Sequence, residues 1–178
     1  ADGGPPPAPS AIRNTLTSVM PREMTTAEVR LLGDHFAEAA WRAKQGGFDG
    51  VELTGNSGYL MNQFISPLTN QRTDEYGGDF EKRLRFPIEV VEKIRAKLGP
   101  GFPISYRISG DDFVKGSVRQ DGVKLVVQAL ERAGVSVINV TAGWHQAFLP
   151  LSSMDVPRGT YVYLAEGIKQ VIKVPVIT

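Results

Sequence analysis

Residues 51–64 read VELTGNSGYLMNQF: a strand-like Val-Glu-Leu gives way to small polar residues and then to a tyrosine behind a glycine. A short apolar strand that ends in a polar loop is one unit of a parallel α/β protein, in which a helix carries the chain back to the next strand. The flanks agree. Upstream, Thr25 and Glu28 stand at capping-box spacing, and Val29, Leu32, Phe36, Ala40 and Ala43 recur at steps of three and four until Gly46-Gly47. Downstream, Leu84, Ile88, Val91, Ile94 and Leu98 predict a helix over residues 80–98, with Pro87 expected to break or kink it and Gly99-Pro100 to end it. A strand over 104–108, a helix over 121–133 closed by Gly134, a strand over 137–140, a helix over 161–172 and a strand over 174–178 follow.

Val/Ile-rich strands alternating with amphipathic helices imply right-handed crossovers and a parallel sheet covered by helices. Two architectures fit. One is an open, doubly wound sheet; the other is about four βα units of an eight-stranded (β/α)8 TIM barrel, a fold of about 250 residues. Neither G-x-G-x-x-G nor G-x-x-x-x-G-K-[ST] occurs, so the nucleotide-binding open sheet loses its main support and the barrel gains by default. Residues 1–24, rich in proline and glycine and without periodicity, predict an extended leader ahead of a folded domain over 25–178. The chain starts without methionine and ends inside the strand-like Val174-Pro-Val-Ile-Thr178, which predicts a piece of something longer.

With 178 residues, 42% of them hydrophobic and 22% charged, the chain can bury the core of one globular domain. Its 20 basic and 19 acidic side chains nearly cancel, so neither nucleic acid nor an anionic membrane is expected as a partner. Cysteine is absent, which removes disulfides, thiolate zinc sites and cysteine nucleophiles, and is compatible with a reducing, cytoplasmic setting. No apolar run reaches the roughly 18 residues of a membrane span, and no signal-peptide pattern opens the chain. A partial barrel has open sheet edges, through which a homo-oligomer could form.

In parallel α/β proteins the chemistry lies at the carboxyl ends of the strands. Thr54, Asn56, Ser57 and Tyr59 follow the first strand, Arg107 ends the second, and Thr141, Trp144 and His145 follow the third. Strand alternation sets Ser105, Arg107 and Ser109 opposite Ile104, Tyr106 and Ile108. An arginine there needs a partner, and two stand open: a bound anion or polar ring, or an ion pair with Glu52. His145 reads either as a catalytic group or as a loop histidine bonded to a backbone carbonyl. Tyr59 reads either as a site phenol or as a packing residue with a wet hydroxyl. His35 and the Arg83-Leu-Arg85 run read as helix surface. Asp111-Asp112 lacks further ligands at metal spacing and reads as a solvated loop, so no metal is expected. No G-x-S-x-G hydrolase motif occurs.

These residues carry a resemblance. Ala8-Pro-Ser-Ala11, Pro21-Arg-Glu-Met24, Gly47-Phe-Asp-Gly-Val-Glu52, Gly58-Tyr-Leu60, Thr69-Asn-Gln-Arg-Thr-Asp-Glu-Tyr-Gly-Gly78, Tyr106-Arg-Ile-Ser109, Gly143-Trp-His145 and Val156-Pro-Arg-Gly159 occur in family order. The chain resembles the Old Yellow Enzyme family of FMN-dependent NADH:flavin oxidoreductases, most closely its 2,4-dienoyl-CoA reductase branch. The resemblance implies an FMN-binding (β/α)8 barrel, of which this chain would supply strands 4 to 7. It implies that NADH or NADPH reduces FMN and that a hydride then passes to the β-carbon of an activated C=C bond, in a dienoyl-CoA or related enoyl or enone substrate.

By the same resemblance Tyr59 is the proton donor, His145 lies beside it and the substrate, and Arg107 lies against the pyrimidine side of the flavin. Ser57, Thr69, Asn70, Gln71, Arg72, Gln146 and Phe148 border the substrate. The chain departs from the family at two points: the histidines that grip simple enones are replaced by Thr54 and Ser57, and the glutamate that precedes Gly-Tyr in the dienoyl-CoA branch is Ser57. The runs for the FMN phosphate, and any iron–sulfur cluster or FAD, would belong to regions outside the chain. Two other readings stay open: an amine dehydrogenase or demethylase of the same flavin-barrel group, with Trp144 and Phe148 as candidate cage aromatics, and a non-catalytic half-barrel fragment.

Overall fold

The structure, a computed structural model, describes residues 3–147 and 156–178. In chain order its elements are β1 (Pro7–Ala8), β2 (Arg22–Glu23), α1 (Thr26–Gln45), β3 (Val51–Gly55), α2 (Leu60–Ile65), α3 (Phe80–Leu98), β4 (Ile104–Ser109), α4 (Gln120–Ala133), β5 (Val137–Thr141), α5 (Val162–Lys169) and β6 (Val176–Ile177). The capping box forms. Thr25 Oγ1 accepts from the Glu28 N–H at 3.2 Å, and the Glu28 carboxylate accepts from the Thr25 N–H at 2.8 Å, satisfying two otherwise orphan donors of α1. Pro87 does not end α3, which runs on to Leu98. The missing N–H forfeits one ladder bond, while burial of Leu84, Phe86, Val90 and Val91 on either side holds the helix against the core.

β3, β4, β5 and β6 pair in chain order and all in parallel. α1, α3, α4 and α5 touch one another in the same order. Leu53, Ile104, Tyr106, Ile108, Ile138 and Val140 are buried against these helices, whereas Glu52, Thr54 and Arg107 on the other face are exposed. A doubly wound sheet reverses its strand order and is covered on both faces; here every strand is added on the same side and one face stays polar. The four strands are a sector of a (β/α)8 barrel, and the polar face is the inside.

The leader is extended where it pairs and is tied to the rest of the fold. Pro7–Ala8 pairs in parallel with Arg22–Glu23, and Ala8, Ser10 and Met24 are buried. The cause is Arg72, whose guanidinium donates to Pro9 O at 2.9 Å and Met24 O at 2.5 Å and pairs with Asp74 at 2.5 Å. Burying that many N–H donors requires acceptors, and the leader's carbonyls supply them. Arg83 also departs from the solvated-face reading, since its Nε donates to Ile65 O at 2.9 Å and so ties α3 to the end of α2. Among the described residues no helix is long and apolar enough to cross a membrane, and no group of side chains could hold a metal ion.

Candidate active site at the strand ends

Beyond β3 the backbone enters the left-handed region twice, at Ser57 (φ 55°) and Gly58 (φ 86°). A Cβ on Gly58 would lie 2.4 Å from the Trp144 indole, so this position needs glycine for its backbone angle and for the contact. The turn is then held by the helix it starts. Asn62 Oδ1 accepts from the Gly58 N–H at 2.8 Å, and Gln63 Nε2 donates to Gly58 O at 2.7 Å. These bonds place Tyr59 immediately before α2, the residue being 50% exposed.

The loop after β5 meets this turn. Trp144 forms a parallel bridge with Ser57, and His145 donates its N–H to Ser57 O at 3.3 Å. His145 Nδ1 stands 2.5 Å from the same oxygen. A carbonyl can only accept, so Nδ1 carries the proton and the lone pair of a neutral ring is left on Nε2. The imidazole lies edge-on to the Tyr59 ring, with centroids 5.2 Å apart and planes at 78°. The backbone bond and the approach to the phenol are therefore one arrangement: the first fixes the ring that makes the second.

Arg107 projects from the open face of β4, in register with Thr54 of β3 and Asn139 of β5. The ion pair with Glu52 is not formed. Glu52 instead accepts from Ser105 Oγ at 2.8 Å and from Asn139 Nδ2 at 3.0 Å, and among the described residues no carboxylate partners Arg107. With Asn56, Ser57, Asn139 and Thr141, Arg107 lines a depression of about 360 Å³. Asn56 Oδ1 is buried and, among the described residues, has no hydrogen-bond partner. A cation without an anion and an acceptor without a donor fit a planar polar ring that has both an electron-rich edge and an N–H, as the isoalloxazine of FMN does.

The remaining candidates divide. Thr69 and Gln146 line a second cavity of about 410 Å³, walled by Gly58, Gln63, Leu68, Trp144 and the leader. Ser57 lines the depression with Arg107 and accepts from Asn56 Nδ2 at 2.8 Å. Asn70 and Arg72 are both buried, Asn70 donating to Phe64 O and Tyr76 O at 2.7 Å and Arg72 bonding the leader and Asp74, so their polar groups are engaged within the protein. Gln71 is exposed outside both cavity walls, and Phe148 lies outside the described residues.

The solvated-loop reading of Asp111-Asp112 is also overturned. Asp111 is buried and accepts from Arg119 Nε at 2.8 Å. Asp112, 1% exposed, accepts from Ser117 Oγ at 2.5 Å, Val118 N–H at 3.3 Å and Asn62 Nδ2 at 3.4 Å. Burial pushes its carboxyl up to about 6. Asn62 thus links this carboxyl to the Gly58 turn, a role that sequence reasoning missed because Asn62 falls in a short helix without a periodic signal.

A parallel sheet sector with its polar side chains gathered at the carboxyl ends of the strands is the arrangement of a (β/α)8 barrel, in which sites form at that rim. The chain belongs to the NADH:flavin oxidoreductase / NADH oxidase family, whose model matches residues 4–178. It is 48% identical over 175 residues to a metal reductase of Desulforamulus reducens, covering 98% of this chain and 26% of that protein. The structure of 2-naphthoyl-CoA reductase in complex with 2-naphthoyl-CoA superposes with a TM-score of 0.93 at 31% identity, over 97% of this chain and 26% of that one. The Old Yellow Enzyme homologue from Zymomonas mobilis does so with a TM-score of 0.77 at 28% identity, over 98% of this chain and 50% of that one. The chain therefore spans about a quarter to a half of the length of these proteins.

Proposed function

We propose that the chain is the strand 4 to strand 7 sector of an FMN-dependent enzyme that uses NADH or NADPH to reduce a C=C bond conjugated to a carbonyl. Enoyl and 2,4-dienoyl thioesters of coenzyme A are the substrate class. The observation that carries this reading is the half-exposed Tyr59 phenol, edge-on to His145 at the same strand ends where Arg107 stands without an anion. The flavin, when bound, supplies the hydride chemistry.

The chain's own residues supply binding, charge and the proton. Arg107 and Asn56 would hold the ring, and the guanidinium stabilises negative charge there. Tyr59 delivers a proton to the carbon beside the carbonyl, as a positioned phenol O–H can. His145, held through Nδ1–H, has Nε2 left to orient that phenol or to meet the substrate oxygen. The cavity of Thr69 and Gln146 accommodates the acyl group away from the reacting carbons. Trp144 is 6% exposed and its indole packs against Gly58. Balanced charge supports a small-molecule substrate in place of nucleic acid, and the lack of cysteine is compatible with the cytoplasm.

Tyr59→Phe in the full-length, flavin-loaded enzyme tests the assignment by stopped-flow kinetics. Reoxidation of the flavin by a dienoyl-CoA should slow by roughly 10²- to 10⁴-fold, the usual contribution of a positioned proton donor. Flavin reduction by the nicotinamide should stay almost unchanged. Equal losses in both half-reactions would make the phenol structural.

A further inference from the structure

β3 and β5 are not neighbours, because β4 lies between them in the sheet. The turn that carries Tyr59 and the loop that carries His145 therefore meet only by bending across the end of β4. Ser109 is the last residue of β4 and is 1% exposed. Its hydroxyl accepts from the Ser57 N–H at 3.0 Å and donates to Gly143 O at 2.7 Å, so one side chain bonds both crossing segments. The junction demands one acceptor and one donor at a single point, and a hydroxyl supplies both.

Ser57 is also one of the few non-glycine residues with a left-handed backbone here, and such a conformation persists only where its surroundings hold it. The N–H of Ser57 is held by Ser109, and its carbonyl is the one that His145 Nδ1 meets. On the far side of the junction, the Gly143 N–H donates to Asp111 O at 2.8 Å. The path from Ser109 through Ser57 to His145 and its ring contact with Tyr59 is continuous.

We propose that Ser109 is a positioning residue whose single hydroxyl sets the Tyr59 turn and the His145 loop against each other. It is 1% exposed and lines neither cavity. Its kinetic consequence rests on the reading of Tyr59 as proton donor, whereas its geometric consequence does not.

The test uses Ser109→Ala, Ser109→Thr and Ser109→Cys in the full-length, flavin-loaded enzyme. Ser109→Ala should slow flavin reoxidation by the enoyl substrate about 10- to 100-fold and change flavin reduction less than about 3-fold, the loss expected when a buried donor and acceptor go unpaired. Ser109→Thr, which keeps the hydroxyl, should restore the rate to within about 3-fold; Ser109→Cys, a weaker donor, should fall between. If the alanine variant does not retain flavin, the cysteine variant gives the decisive comparison.

In a Tyr59→Phe background the Ser109→Ala effect should vanish, because the group it positions is gone. Full additivity, or equal slowing of both half-reactions, overturns the proposal. If Tyr59→Phe alone leaves reoxidation unchanged, the proton-donor reading fails. Ser109 is then judged by the nitrogen-15 resonances of His145, one of two histidines in the chain. Ser109→Ala should move them and loosen the protected Nδ1–H, and unchanged resonances overturn the proposal.

Discussion

Arg107 stands on an open sheet face between Thr54 and Asn139, a cation with no anion among the described residues. Since a hydrogen bond to a charged group contributes about 1.5–3 kcal/mol, Arg107→Met in the full-length enzyme should weaken flavin retention roughly 10- to 100-fold and lower its reduction potential. Flavin release followed by visible absorbance, with potentiometry, checks both, and unchanged retention together with unchanged potential would dissociate Arg107 from the cofactor. At this scale the sequence was half legible. Arg107, His145 and Tyr59 stand out because their chemistry is unusual at strand ends. Thr69, Asn70, Gln71 and Arg72 do not separate by residue type: Asn70 and Arg72 turn inward because leader and loop carbonyls wait there, while Thr69 reaches a cavity.

The element that places Tyr59 is α2, six residues long and too short for a periodic signal. Its first turn is not capped by Tyr59; Asn62 and Gln63 fold back onto Gly58 instead. Gly58→Ala should destabilise the fold by about 1–3 kcal/mol from backbone strain alone, and by more from the overlap with Trp144. Gly78→Ala is the matched control, because Gly78 shares φ 86° but has nothing within 4 Å of a built Cβ. Urea midpoints of the two variants separate strain from overlap. Equal losses would deny Trp144 its part in the turn. α1 was legible down to its capping box, since both partners lie within one turn. α3 was less so, because Pro87 argues locally for a break that buried packing overrides.

For the molecule as a whole, two buried or paired carboxyls bracket the pH range of greatest stability. Asp112 is pushed up to about 6, so the folded state binds its proton more tightly than the unfolded chain does. Its contribution is present below the ordinary aspartate range near 4 and is lost as pH rises through about 6. Asp74, beside the Arg72 guanidinium, is held well below the usual range, so its contribution is present above about 4 and is lost as pH falls. From these two groups stability should peak near pH 4, where the Asp112 contribution has not yet been lost and the Asp74 contribution is already present. Asp112→Asn should abolish roughly 3 kcal/mol of decline from pH 4 to pH 7, read by urea unfolding at several pH values; parallel curves for the two proteins would refute it.

The sequence by itself determined the βα alternation, the parallel sheet and the strand ends as the place for chemistry, because the periods of strands and helices are written into neighbouring residues. Only the tertiary structure decided that the sheet is a barrel sector, that Asp111 and Asp112 are buried, that the leader pairs, and that Ser109 joins two loops. Those outcomes rest on bonds such as Ser109 to Gly143, Ser57 to Ser109 and Arg72 to Pro9, between residues 34, 52 and 63 positions apart. No local pattern encodes such a partner; it exists once folding has removed both groups from water and brought each within reach of the other.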